Sequence, residues 1–174
     1  MNLYLIGYRG SGKSTVAPLL AKKLDWQHSD SDHEIQVMTG QNIADIFTNQ
    51  GESGFRKLET SVVQRYATKK EHVVSLGGGA PTFPAIRNAI KQSGKGVYLL
   101  ASAETLWQRI SGDQATDSLR PSLTELDGLA EVEKMLESRQ AIYDACADYT
   151  VDTTELNPEQ IAEVIANWWG SVDI

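Results

Sequence analysis

Residues 2–15 constrain this chain more than any other stretch. Asn2-Leu3-Tyr4-Leu5-Ile6 runs into Gly7-Tyr8-Arg9-Gly10-Ser11-Gly12-Lys13-Ser14-Thr15. An apolar, strand-like run stops at a glycine, and the residues after it keep the spacing G-x-x-x-x-G-K-[ST]. Val16-Ala17-Pro18-Leu19-Leu20-Ala21 then opens a helical pattern. Strand, glycine loop and helix in that order give the motif the mechanics of a phosphate-binding loop. The glycines let successive N–H groups turn toward one anion. The helix beginning near Lys13 adds free amides and the positive end of its dipole. Lys13 brings a mobile charge to the outer phosphates, and the Ser14 hydroxyl suits magnesium. Gly10, Ser11, Gly12, Lys13, Ser14 and Thr15 are the expected nucleotide-binding set, and a nucleoside triphosphate with Mg2+ is the ligand they imply.

Beyond this loop, strand-like and helix-like segments alternate. Asp25–Ser29 reads as a second strand ending in Asp30-Ser31-Asp32, followed by a helical segment containing Glu34, Ile35, Val37 and Met38 and broken at Thr39-Gly40. Gln41–Phe47 reads as short turns with Ile43, Ala44, Ile46 and Phe47 inward, and Asn49–Ser53 as a loop. Phe55, Leu58, Val62, Val63 and Tyr66 keep helical spacing. Val73–Leu76 is apolar enough for a central parallel strand and ends in Gly77-Gly78-Gly79. A helix over Phe83–Gln92, a strand over Gly96–Leu100 and a helix over Ala103–Ile110 follow. Residues 111–125 are polar, contain Arg120-Pro121, and read as a mobile loop. A helix over Gly128–Cys146, a fifth strand over Asp148–Asp152 and a last helix with Pro158 in its first position complete the pattern. The alternation predicts one α/β domain: a five-stranded parallel sheet between helical layers. Ligands of such sheets bind beyond the carboxyl ends of the strands. The clusters Gly7–Ser14, Asp30–Asp32 and Gly77–Gly79 are therefore expected to converge.

A net charge of −7 leaves no basic stripe for a nucleic acid. The longest apolar runs are strand-sized, which argues against a membrane span. No signal-peptide pattern precedes the first strand, and Cys146 is the only cysteine. A cytoplasmic location and a buried structural thiol are the expectations.

Asp30 and Asp32 stand two apart beside the expected Mg-nucleotide site. Asp30 or Ser31 can cap the following helix. Alternatively, one carboxylate holds the metal while the other accepts a proton from an attacking hydroxyl. His33 reads as a surface residue. Arg56 and Glu59 lie three apart on one helical face, and the Gly77–Gly79 run suggests close approach of backbone amides to a ligand. Arg120 looks like an arginine carried on a lid, and Arg139 lies in a helix.

Taken together these residues resemble shikimate kinase, within the nucleoside monophosphate kinase-like group of P-loop folds. The resemblance spans essentially the whole chain: Gly7–Thr15, Asp30-Ser31-Asp32, Phe55-Arg56-Lys57-Leu58-Glu59, Gly77-Gly78-Gly79, Leu119-Arg120-Pro121, and Arg139 with Tyr143. It implies transfer of phosphate from ATP to the 3-hydroxyl of shikimate, on the route to chorismate and the aromatic amino acids. It implies that Lys13 contacts the transferring phosphate, Ser14 binds magnesium, and Asp30 helps hold the metal through water. Asp32 would bind the substrate hydroxyls and act as base, and Arg56 and Arg139 would grip the carboxylate. Glu59 would orient Arg56, Gly78 and Gly79 would line the acceptor pocket, and Arg120 would close onto the phosphates. Arg109 and Pro158 would flank the adenine. The acceptor segment would span about residues 31–60 and the lid about 111–125, in a single domain over 1–174 expected to be a monomer.

The region between Arg109 and Arg120 departs from the resemblance in being a few residues longer than in short family members. The third strand also lacks the usual strand-end aspartate, a role that passes to Asp30. A gluconate kinase of the same architecture is the nearest rival, and the arginine and glycine set favours shikimate over it. A GTPase-type switch is disfavoured because no Asn-Lys-x-Asp motif follows the later strands. A nonenzymatic relative would be expected to have lost Lys13, Asp32 or Arg120, and all three are present.

Overall fold

The computed structural model describes residues 1–112 and 128–172. Strand β1 (Asn2–Ile6) leads through the glycine loop into helix α1 (Lys13–Leu24). Strand β2 (Gln27–Asp30), helix α2 (Ser31–Thr39) and helix α3 (Ile43–Ala67) follow. Next come β3 (His72–Ser75), a single 3-10 turn over Ala80–Thr82, α4 (Pro84–Ser93), β4 (Gly94–Leu100) and α5 (Ala103–Gly112). Helix α6 (Leu129–Cys146), β5 (Tyr149–Asp152) and α7 (Pro158–Gly170) complete the described chain.

All the strand pairs are parallel, and the order across the sheet is β2-β3-β1-β4-β5. Strand β1 is wholly buried and alternates between two cores, as the two-residue period of a strand requires. Leu3 and Leu5 pack with α1 and α7, while Tyr4 and Ile6 pack with α2, α3, α4 and α6. A smaller cluster of Tyr8, Leu106, Ile110 and Val132 joins the glycine loop to α5 and α6. The chain order reverses beside β1, which leaves a crevice at the carboxyl end of the sheet. The carboxyl ends of β1, β3 and β2 open into it side by side.

Most element types agree with the sequence expectation; the differences lie at boundaries and over residues 41–53, read as turns and a loop, where α3 is helical from Ile43. Asp25 caps α1 in a left-handed conformation (φ 57°), so β2 starts at Gln27 rather than Asp25. Ser31 and Asp32 belong to the first turn of α2 rather than to a strand end. The expected loop at 49–53 is helical except at Gly51, where φ 66° and ψ −179° break α3. Strand β3 is shifted one residue toward the amino end, although the Leu76 amide still donates to Leu5 O (3.1 Å). Strand β4 begins at Gly94, and α5 continues through Gly112, so the first two residues of the expected lid are helical. The rest of that lid, Arg120 included, lies outside the described residues. Cys146 is buried, as expected. Pro158 occupies the first turn of α7, behind a capping box made by Asn157 and Gln160.

Candidate active site

The glycine loop wraps an open crevice. Gly7, Gly10 and Gly12 all have positive φ, which lets the loop fold around the space an anion would fill. Lys13 is nearly buried, and its ammonium donates to Gly7 O (2.8 Å) and Tyr8 O (2.7 Å). The Ser14 hydroxyl donates to Asp30 Oδ2 (2.6 Å) and lies 3.4 Å from the Ser75 hydroxyl. Asp30 Oδ1 accepts from the amides of Asp32 (3.0 Å) and His33 (3.2 Å). One carboxylate therefore caps α2 with one oxygen and accepts from the Ser14 hydroxyl with the other. His33 is exposed, as expected.

A larger cavity runs from the loop past Asp30, Asp32 and Ser75 to Arg109, Leu156, Pro158 and Ile161. Arg109 is fixed at that far end: its guanidinium donates to Thr153 Oγ1 (3.1 Å) and Thr153 O (2.6 Å). Thr153 itself is fully buried.

The second cavity holds Asp32, Arg56, Glu59, Gly77, Gly78, Gly79 and Arg139. Both halves of α3 wall it, Ile43 and Phe47 before the break and Phe55, Arg56 and Glu59 after it. The Phe47 and Phe55 rings stack at 4.8 Å. Arg56 donates to Glu59 Oε2 (2.7 Å) and Glu52 Oε1 (3.2 Å), and sits over the rings of Phe55 and Phe83 at 5.3 and 5.4 Å. The two residues share one helical face, as expected, and the pair is buried: Arg56 is 7% exposed and Glu59 0%. Burial pushes the Glu59 carboxyl up, and the charges of Arg56 and Arg139 pull it only partly back.

The glycines following β3 are dictated by this packing. A Cβ on Gly77 would stand 2.6 Å from Glu59 Oε1 and 2.9 Å from Asp32 Oδ1. A Cβ on Gly79 would overlap the Arg56 guanidinium. Tyr143, one helical turn beyond Arg139, donates its hydroxyl to Gly78 O (2.7 Å). Burial raises the Tyr143 phenol to about 12, so this hydroxyl stays protonated at any ordinary pH.

The two cavities meet at a common wall made of Arg9, Asp32, Gly77 and Gly78. Every expected site residue that the structure describes lines one cavity or the other, or holds a residue that does. Tyr8 and Arg9 went unmarked in the sequence because they fill the variable positions of the loop motif. Glu131, nearly buried and 3.7 Å from the Arg9 guanidinium, carried no local signal either. Thr153 could have been found only from its place one residue past β5, at the carboxyl edge of the sheet.

A parallel sheet whose crevice joins a glycine-cradled anion site to an arginine-lined pocket is the architecture of a P-loop kinase. The family model for shikimate kinase matches residues 9–169. A shikimate kinase from Rhodopirellula baltica is 42% identical over 160 residues, covering 92% of this chain and 86% of the relative. One from Persephonella marina is 39% identical over 94% of this chain and 96% of the relative. Among solved structures, shikimate kinase from Acinetobacter baumannii in complex with shikimate superposes with a TM-score of 0.90. It is 36% identical, and the match covers 98% of this chain and 93% of that one. A deoxyadenosine kinase from M. mycoides with bound dCTP (TM-score 0.65, 19% identity) shares the fold. The chain belongs to the shikimate kinase family.

Proposed function

We propose that the protein transfers the terminal phosphoryl group of ATP to the 3-hydroxyl of shikimate, giving shikimate 3-phosphate and ADP. The observation that carries this reading is the common wall: Asp32 borders both the triphosphate cavity and the arginine-lined acceptor cavity. A hydroxyl bound in the second cavity would lie next to the carboxylate that takes its proton and face the phosphate it attacks. Shikimate carries one carboxylate and three hydroxyls. The guanidinium forks of Arg56 and Arg139 suit the carboxylate, and Asp32 suits a hydroxyl pair. Glu59 holds Arg56 in place, and the amides of Gly78 and Gly79 complete the pocket. Lys13, now bonded to its own loop, would turn to the transferring phosphate.

The Ser14 hydroxyl and the Asp30 carboxylate fit a magnesium ion that reaches the protein chiefly through phosphate oxygens and water. Their 2.6 Å contact leaves Asp30 a partner behind the serine rather than a direct ligand. Among the described residues no three histidine, cysteine or carboxylate side chains cluster to hold a cation alone, which suits an ion carried in by the nucleotide. Magnesium would supply neutralisation of phosphate charge. Arg109, pinned by Thr153, and Pro158 would flank the adenine, and Arg120 would reach the phosphates from the lid expected at about 111–125. On this reading the chain is one kinase domain with its acceptor segment at about 31–60, working as a monomer in the cytoplasm. Among the described residues no helix is long and apolar enough to cross a membrane.

A coupled ADP-release assay with shikimate, with gluconate and without acceptor tests this reading. Shikimate-dependent turnover is the expected result, and release equal with and without shikimate would refute it. Arg139→Ala should raise the shikimate KM by about 10- to 100-fold, the equivalent of one charge-assisted hydrogen bond or more. The ATP KM should move less than about threefold. Equal changes in both constants would remove Arg139 from the carboxylate site.

A further inference from the structure

The acceptor pocket sets Tyr143 a task that the reaction itself does not name. Gly77 and Gly79 have no room for a side chain, because Glu59, Asp32 and Arg56 occupy the space. Gly78 is itself hemmed in by the backbone of Gly7 and Arg9. The pocket wall is thus made from three consecutive glycines, the most permissive backbone a chain can have. The peptide plane between Gly78 and Gly79 is flanked by glycine on both sides, so side chains set no barrier to its flipping within the turn. Neither the Gly78 nor the Gly79 amide donates a hydrogen bond among the described residues. Both residues line the acceptor cavity.

The Ala80 amide closes a turn across this plane by donating to Gly77 O (2.9 Å), but among the described residues the one bond to the plane's own groups comes from outside the loop. The Tyr143 hydroxyl donates to Gly78 O at 2.7 Å, and the residue is fully buried, with its ring 5.0 Å from that of Tyr98. In a trans peptide the C=O and the following N–H point in opposite directions. Fixing the Gly78 carbonyl toward Tyr143 therefore fixes the Gly79 N–H away from it. Arg139 lies four residues earlier, on the same face of α6. One helix face thereby sets both a guanidinium and an amide of the same pocket.

We propose that Tyr143 is a positioning residue for the acceptor: its hydroxyl latches the Gly78–Gly79 peptide and holds the Gly79 amide ready to donate to the bound substrate. The inference rests on the proposed reading of this cavity as the shikimate pocket. The latch is needed because the packing that demands glycine also removes the stiffness a binding wall requires. The hydroxyl works as a donor only in its protonated form, which burial preserves.

Tyr143→Phe keeps the ring and removes the hydroxyl, and with it both the latch and the contact with Arg139, so the relaxation of the glycine amides is the readout specific to the latch. The shikimate KM should rise about three- to tenfold, as expected for one lost orienting hydrogen bond, while the ATP KM stays within about twofold. A variant that only lost stability would melt earlier with both constants unchanged. That pattern overturns the proposal, and so does a parallel rise in both constants. If wild-type protein shows no shikimate-dependent turnover, it is the substrate reading that fails. The latch is then judged by a measurement that needs no substrate, 15N relaxation of the Gly78 and Gly79 amides. Order parameters near about 0.85 in wild type, falling in the variant, support the latch. Wild-type values below about 0.6 overturn it, also in the event that the variant does not fold, and unchanged values in a folded variant do the same.

Discussion

Asp32→Asn should retain nucleotide binding and lose most of its turnover, with kcat falling about 10²- to 10⁴-fold, the usual contribution of a positioned general base. The amide is nearly isosteric with the carboxylate but cannot take a proton. The fold around it should survive, since the bond that seats Asp32 at the start of α2 runs from its backbone amide to Asp30 Oδ1 (3.0 Å). Steady-state turnover with shikimate and a separate titration with ADP measure the two halves. A variant with near-wild-type kcat would show that Asp32 only orients the hydroxyl. A variant that no longer binds ADP would show instead that the common wall belongs mainly to the nucleotide.

Arg56→Ala should be the most destabilising substitution in the acceptor pocket. It leaves Glu59, which has no exposed surface, without its main counter-charge. Removing one partner of a buried ion pair costs about 3–5 kcal/mol. The remaining candidate contact does not help, because Glu59 Oε1 has no hydrogen-bond partner among the described residues. The loss should depend on pH in a definite direction. Burial already raises the Glu59 carboxyl in the folded protein, and loss of Arg56 raises it further. A folded-state pKa above the unfolded one means that the native state binds the proton more tightly. The penalty therefore grows as pH rises above the ordinary glutamate value of about 4.3 and shrinks as pH falls toward it. Thermal melts at pH 7.5 and pH 5 should show the gap between wild type and variant narrowing at the lower pH. Arg56→Ala combined with Glu59→Gln should recover much of the loss. A deficit that is the same at both pH values and persists in the double variant would mean that lost packing against Phe55 and Phe83 dominates instead.

The donor half of the site was legible because its mechanics are local. Gly7 to Thr15 form one continuous stretch in which spacing, glycine content and flanking periodicity all point to the same structure. The convergence of Asp30, Asp32 and Gly77–Gly79 was legible at one remove, from the rule that strand ends in a parallel sheet share an edge. Asp30 and Ser31 were harder, because a helix cap and a metal-site carboxylate call for the same residue types. In the structure Asp30 caps α2 with one oxygen and accepts from the Ser14 hydroxyl with the other. The loop expected at 49–53 was misjudged because Gly51 and its polar neighbours look like a linker, whereas the helix resumes immediately after a single unusual residue. Arg9 with Glu131, Arg109 with Thr153 and Tyr143 with Gly78 O are contacts over long sequence separations. Nothing in local periodicity encodes such pairs; they exist only once the sheet order has brought the elements together.

That single residue at the break in α3 has a geometric consequence for the pocket. Ile43 and Phe47 stand on one arm of the helix, and Phe55, Arg56 and Glu59 stand on the other. Gly51 joins the arms with φ 66° and ψ −179°, a backbone region essentially reserved for glycine. A built Cβ there meets no atom within 4 Å, so space does not require the glycine; the torsion does. The angle between these two walls of the pocket is thus set at one pair of dihedral angles, like calipers set by a single screw. A side chain at this position would press the arms toward a straight rod and part the jaws, without altering any residue that lines the cavity.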